Sequence, residues 1–211
     1  GRISTNGPEQ GTSGRFGGRL FQPVHDALTM PTVETWSLWL HIAAGTVAVL
    51  AGDGALVTEK GGRRHRGAGK LFLVSMAVTV VTVFVLLAAA VTTFRIVLTL
   101  VAIFSGYLAF SGYRVLSRKR PSETPATVDW LAAGTVVVAC LALGGWGVAW
   151  FLDGSSFGIV MAVFGGIGVA FGAQELRSFH RGESGAWMIS HLQRMIAAFI
   201  ATISAVSAVR S

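Results

Sequence analysis

His41, His65, His180, His191, Glu175 and Arg194 are the side chains of this chain best suited to chemistry. Imidazoles and carboxylates at a common depth can hold zinc or iron, and two imidazoles can ligate a haem. On that chemistry His65, Glu175 and His191 form the candidate metal set. His41, His65, His180, His191 and Arg194 form the candidate cofactor-binding set, for a haem or a transition metal. The same groups can relay protons, since ionisable residues inside spans line such paths. A packing alternative stands beside these readings: Glu175 pairs with Arg194 or Arg177, Asp53 with a loop arginine, and the histidines cap helix ends. No HExxH and no cysteine pair is present, so no metal signature decides between them. Cys140 is the only cysteine; it lies inside an apolar run and reads as an inert buried thiol.

The elements that must position these groups are six apolar runs, at 36–57, 71–92, 94–116, 128–152, 157–176 and 186–209. About 20 apolar residues cross a bilayer as a helix, so each run predicts a span. The composition agrees: 52% of residues are hydrophobic and 13% charged, against roughly a quarter charged in soluble domains. The fold class expected is an all-α membrane protein, a six-helix bundle over 36–209 preceded by a polar, Gly-rich extramembrane tail at 1–35.

Loop charge predicts orientation. The stretch TEKGGRRHRGAGK holds five Lys/Arg, 114–120 holds four, and Arg177 and Arg181 follow the fifth span. By the positive-inside rule these three basic segments are cytoplasmic and both termini lie on the outer, periplasmic side of a bacterial inner membrane. Trp36, Trp39, Trp146 and Trp150 then fall at outer span ends, and Trp130 and Trp187 at inner ends, where indoles are favoured. The net charge of +7 sits in loops between spans. It therefore predicts contact with anionic lipid headgroups, through Arg63, Arg64, Arg66, Lys70, Arg118, Lys119 and Arg120, and not with nucleic acid. The run KGGRRHRGAGK lacks the GxxxxGK[ST] order of a nucleotide loop.

This topology separates the histidines. His41 enters from the outer side and His191 from the inner, which places their layers on the order of 10–20 Å apart. The two cannot share one metal or one haem iron. Asp53, Glu175, His65, His180, His191 and Arg194 share the inner layer.

Small residues recur every three or four positions: Gly158, Ala162, Gly165, Gly168 and Gly172 in span five, Gly45, Ala48 and Gly52 in span one. Span three repeats the pattern with Ser105, Ala109 and Gly112, and span six with Ala198, Ala201 and Ala205. Such stripes let backbones approach where lipid supplies no hydrophobic drive between helices, so they predict packing within the bundle. Residues 1–35 lack the apolar core of a signal peptide. A chain opening on Gly1 is expected of a processed protein or one with residues upstream. Composition predicts a tail that does not order itself. Its expected partners are other membrane-protein subunits or the outer face of its own bundle.

The segments LHIAAGTVAVLAG, HRGAGKLF and HLQRMIAAFIA together resemble an uncharacterised family of bacterial predicted integral membrane proteins, a domain of unknown function. An early-span His, a His-Arg-x-x-Gly loop and a late His-x-x-Arg-Met recur in it. Here they map onto His41, onto His65-Arg66 with Gly69, and onto His191 with Arg194-Met195. The resemblance covers roughly 36–208, implies a helical inner-membrane fold and carries no established activity. Asp53 departs from the neutral residue expected at its position. No segment specifies a reaction, so whether the chain is an enzyme stays open. The leading expectation is an accessory or structural subunit of a larger membrane complex. The alternatives are a haem- or metal-binding redox protein and a small transporter or proton pathway lined by Asp53, Glu175 and Arg194.

Overall fold

The computed structural model describes residues 32–120, 122–182 and 187–208, and these form helices without any strand. In chain order the helices are α1 (Val33–Val57), α2 (Arg63–Ala89), α3 (Thr93–Arg114), α4 (Thr127–Leu152), α5 (Ser156–Arg181) and α6 (Trp187–Ala208). A four-residue 3₁₀ turn, Val115–Arg118, tightens the end of α3. All six helices are long and apolar enough to cross a membrane. The tail over residues 1–31 lies outside the described residues, as do the contacts expected of it.

Local chemistry sets the helix ends. The Thr32 hydroxyl accepts from the Thr35 amide at the start of α1, and Thr92 accepts from the Arg95 amide at the start of α3. The Asp129 carboxylate accepts the Ala126 N–H at 2.9 Å and caps α4. These contacts satisfy amide groups that a helix start leaves open. Helix α5 stops at Gly182, whose φ of 61° is open to glycine at little cost.

Two helices run further than hydropathy predicts. The basic run that reads as a loop is helical from Arg63 onward, leaving only 58–62 as the connection, and α5 continues past Leu176 to Arg181. Hydropathy registers the lipid-facing stretch alone, whereas a helix continues into the headgroup layer on Lys and Arg without loss of propensity.

α1 and α2 pair as one hairpin and α4 and α5 as another, while α3 touches α2, α4, α5 and α6. Within its most apolar window α3 is 56% buried, against 22–28% for each of the other five, so α3 is the central helix. Two core clusters flank it. One gathers Ala48, Phe72, Met76, Phe104, Leu108 and Phe199; the other gathers Leu100, Val136, Cys140 and Met161.

The small-residue stripes lie where helices touch most closely. A methyl group added at Gly165 would stand 2.5 Å from Gly144 Cα, and one at Gly158 would strike the backbone of Phe151 and Gly147. Gly112 of α3 faces Arg194 and Met195 of α6, and Gly52 of α1 faces the Phe199 ring. Gly45 differs from the rest of its stripe: nothing lies within 4 Å of where its Cβ would be.

Candidate functional site

Because α1 runs parallel to α3, the C-terminal ends of α1, α3 and α5 and the starts of α2, α4 and α6 share one end of the bundle. The basic residues gather there. At its centre the buried Glu175 carboxylate of α5 receives three donors. Arg118 Nη2 donates to Oε1 at 2.9 Å, Arg194 Nη1 donates to the same oxygen at 2.8 Å, and the Tyr107 hydroxyl donates to Oε2 at 2.6 Å. Helices α3, α5 and α6 and the 3₁₀ turn meet in this one cluster. The Arg118 guanidinium carbon lies over the Phe179 ring, 4.6 Å from its centroid.

A second ion pair lies beside it. Arg114 at the end of α3 holds Asp129 of α4 in two-pronged fashion, Nε to Oδ1 at 2.8 Å and Nη2 to Oδ2 at 3.0 Å. The same carboxylate caps α4, so one buried group both starts a helix and ties it to its neighbour.

Two of the histidines act on helix ends. His65 Nδ1 donates to the Ala55 carbonyl at 2.9 Å, and His191 Nδ1 donates to the Gly112 carbonyl at 2.7 Å. Both carbonyls lie in the last turn of their helices, α1 and α3, where such groups lack an intrahelical partner. Lys60 Nζ donates to the Ala55 and Leu56 carbonyls. Because a carbonyl can only accept, Nδ1 carries a proton in both histidines, which leaves Nε2 as the nitrogen not engaged by these bonds. His41 lies towards the opposite end, its Nδ1 2.9 Å from the Thr82 hydroxyl oxygen. The same hydroxyl oxygen lies 2.9 Å from the Val78 and Thr79 carbonyls of α2. His180 is exposed and sets its ring edge-on to Trp130 at 4.8 Å.

The structure therefore brings Glu175 and Arg194 into contact and leaves His65 at the α1–α2 hairpin. Among the described residues no group of three or more His, Cys, Asp or Glu side chains is placed to hold a metal ion. Of the arginine partners expected for Glu175, Arg194 is present; Arg118 takes the place foreseen for Arg177. Asp53 is exposed and makes no hydrogen bond or ion pair among the described residues, unlike the loop-arginine partner expected for it. Of the residues expected at lipid headgroups, Arg63, Arg64, Arg66, Lys70, Lys119 and Arg120 are exposed. Arg118 is not among them, since its side chain is 10% exposed and turned onto Glu175. Arg118 closes the four-residue 3₁₀ turn Val115–Arg118 that follows α3.

Sequence reasoning passed over Tyr107, Arg114, Asp129 and the Glu34–Arg95 pair. Tyr107 carried a usable signal, because a phenol inside an apolar run needs a partner for its hydroxyl.

Comparison with protein-family models, with curated proteins and with solved structures finds no match to this chain.

Proposed function

We propose that this multi-pass protein is an accessory or structural subunit of a larger complex in a bacterial inner membrane, with both termini outside. The observation that carries the reading is where its polar side chains spend their hydrogen bonds. Glu34 and Arg95 link α1 to α3. His41 and His65 link α1 to α2, Arg114 and Asp129 link α3 to α4, and the Glu175 cluster links α3, α5 and α6. Groups used in this way stabilise a rigid bundle. The apolar outer faces, such as Leu131, Val138 and Leu141 on α4, serve lipid or neighbouring subunits. The tail and these faces are the partner surfaces, and the exposed basic residues meet the anionic leaflet.

The test is the native mass of the protein gently solubilised from its own membrane. Partner subunits in fixed stoichiometry are expected, and deletion of residues 1–31 is expected to weaken their association. A particle of this chain alone would sink the accessory role. Orientation is tested by cysteines introduced singly at Lys60, Ser122 and Ser155 in a Cys140→Ala background. An impermeant thiol reagent added from outside is expected to label the third site alone.

A second reading, a haem or metal protein, draws on Nε2 of His65 and His191, the ring nitrogens left over when Nδ1 donates to a carbonyl. A hydrogen-bonded Nδ1 is what orients histidine ligands. It predicts a visible absorption band lost in His191→Ala; a colourless, metal-free native protein would count against it.

A further inference from the structure

Arg118 and Arg194 share a single acceptor, Glu175 Oε1, while Oε2 is occupied by the Tyr107 hydroxyl. Among the described residues two guanidinium charges meet one carboxylate here, one positive charge in excess. The two arginine side chains are 10% and 13% exposed, so water screens that charge poorly. Buried charge is costly unless it is paired, and the excess favours a further anion.

A separate observation points the same way. The Arg118 Nε–H is buried and has no hydrogen-bond acceptor among the described residues. Buried donors in native proteins are nearly always satisfied, and an ion or water is the usual partner where side chains offer none. The guanidinium carbon lies 4.6 Å from the Phe179 ring centroid, and its N–H donors lie in the guanidinium plane. Arginine's planar fork matches phosphate oxygens two at a time. Beside it in the chain, Lys119 keeps its ammonium 4.7 Å from the Trp187 ring centroid, which adds a second cation at the same end.

We propose that Arg118 and Arg194, held in place by Glu175, form a binding site for a phosphate group at the basic end of the bundle. The ligand is the phosphodiester of an anionic phospholipid or free inorganic phosphate, which share the same oxyanion chemistry. Glu175 is a positioning residue: it converges the two guanidiniums and leaves their surplus charge for the ligand. The site does not depend on the accessory-subunit reading.

The test uses the full chain in a non-ionic detergent, stripped of lipid, and follows thermal unfolding. Dioctanoyl phosphatidylglycerol, dioctanoyl phosphatidylcholine and inorganic phosphate are titrated separately. Saturable stabilisation by phosphatidylglycerol but not by the other two assigns the site to a lipid. An equal response to inorganic phosphate assigns it to the free anion. Arg118→Gln keeps a neutral donor for Glu175 and removes the excess charge, so the apparent affinity is expected to fall by about tenfold. Glu175→Gln adds to the excess, and the same ligand is expected to bind more tightly. These opposite signs separate a binding role from a structural one, which would weaken both variants alike. No saturable response to phosphatidylglycerol or phosphate would overturn the proposal, as would weaker binding by Glu175→Gln. Should Arg118→Gln not fold, Arg194→Lys, which keeps the charge but loses the fork, is expected to bind more weakly than the native chain.

Discussion

At the basic end of the bundle three donors converge on one buried carboxylate, and a second buried carboxylate is held in two-pronged fashion by Arg114. At the opposite end the corresponding tie between helices is, among the described residues, a single ion pair, Glu34 with Arg95, whose side chains are 42% and 27% exposed. Arg95 divides its donors between that carboxylate and the Leu86 and Ala90 carbonyls at the end of α2. What holds α4 to α5 at that end is glycine: Gly147 and Gly158 bring the two backbones into direct contact. One end is fixed by directional charge and the other by shape. The difference matters because a buried charged network tolerates few arrangements, whereas an exposed pair competes with water and contributes little.

The comparison can be broken at its strongest point first. Glu175→Ala strands two guanidiniums without a counterion and is expected to cost about 3–5 kcal/mol, read from unfolding in mixed micelles; a loss below 1 kcal/mol would show the cluster to be dispensable. Asp129→Ala removes both the Arg114 partner and the α4 cap, with an expected loss of about 2–3 kcal/mol by the same assay. At the other end, Gly147→Val forces α4 from α5 against Met161 and the backbone of Ala162, and a cost of about 1–3 kcal/mol is expected. Gly45→Ala meets no neighbour and serves as its control. Glu34→Gln is expected to change stability by less than about 1 kcal/mol, and raising the salt concentration should shrink even that difference. Should Glu34→Gln cost as much as Glu175→Ala, the contrast between the ends would fail.

Much of the fold is legible in the sequence because lipid imposes a length. A run such as 128–152 must be a helix, since no other single segment satisfies its backbone in hydrocarbon, and α4 occupies Thr127–Leu152. The glycine stripe of span five was legible for a related reason: spacings of three and four put Gly158, Gly165 and Gly172 on one face, and that face is the buried one. The helical start of α2 was less so, because Arg63 to Lys70 carry no apolar signal. The candidate site was legible only in its members. Glu175, His191 and Arg194 were recognisable by type, while Tyr107 and Arg118 were not seen as their company.

By itself, then, the sequence determined six spans, the end at which charge gathers and the faces that pack, because each is a property of one helix in its surroundings. Only the tertiary structure decided that Arg118 turns inward, that His65 and His191 close helix ends, and that Glu175 is shared by two arginines. Periodicity fixes the faces of a helix but not its height against its neighbours. Hydrogen bonds near 2.8 Å depend on that height to within a fraction of a turn.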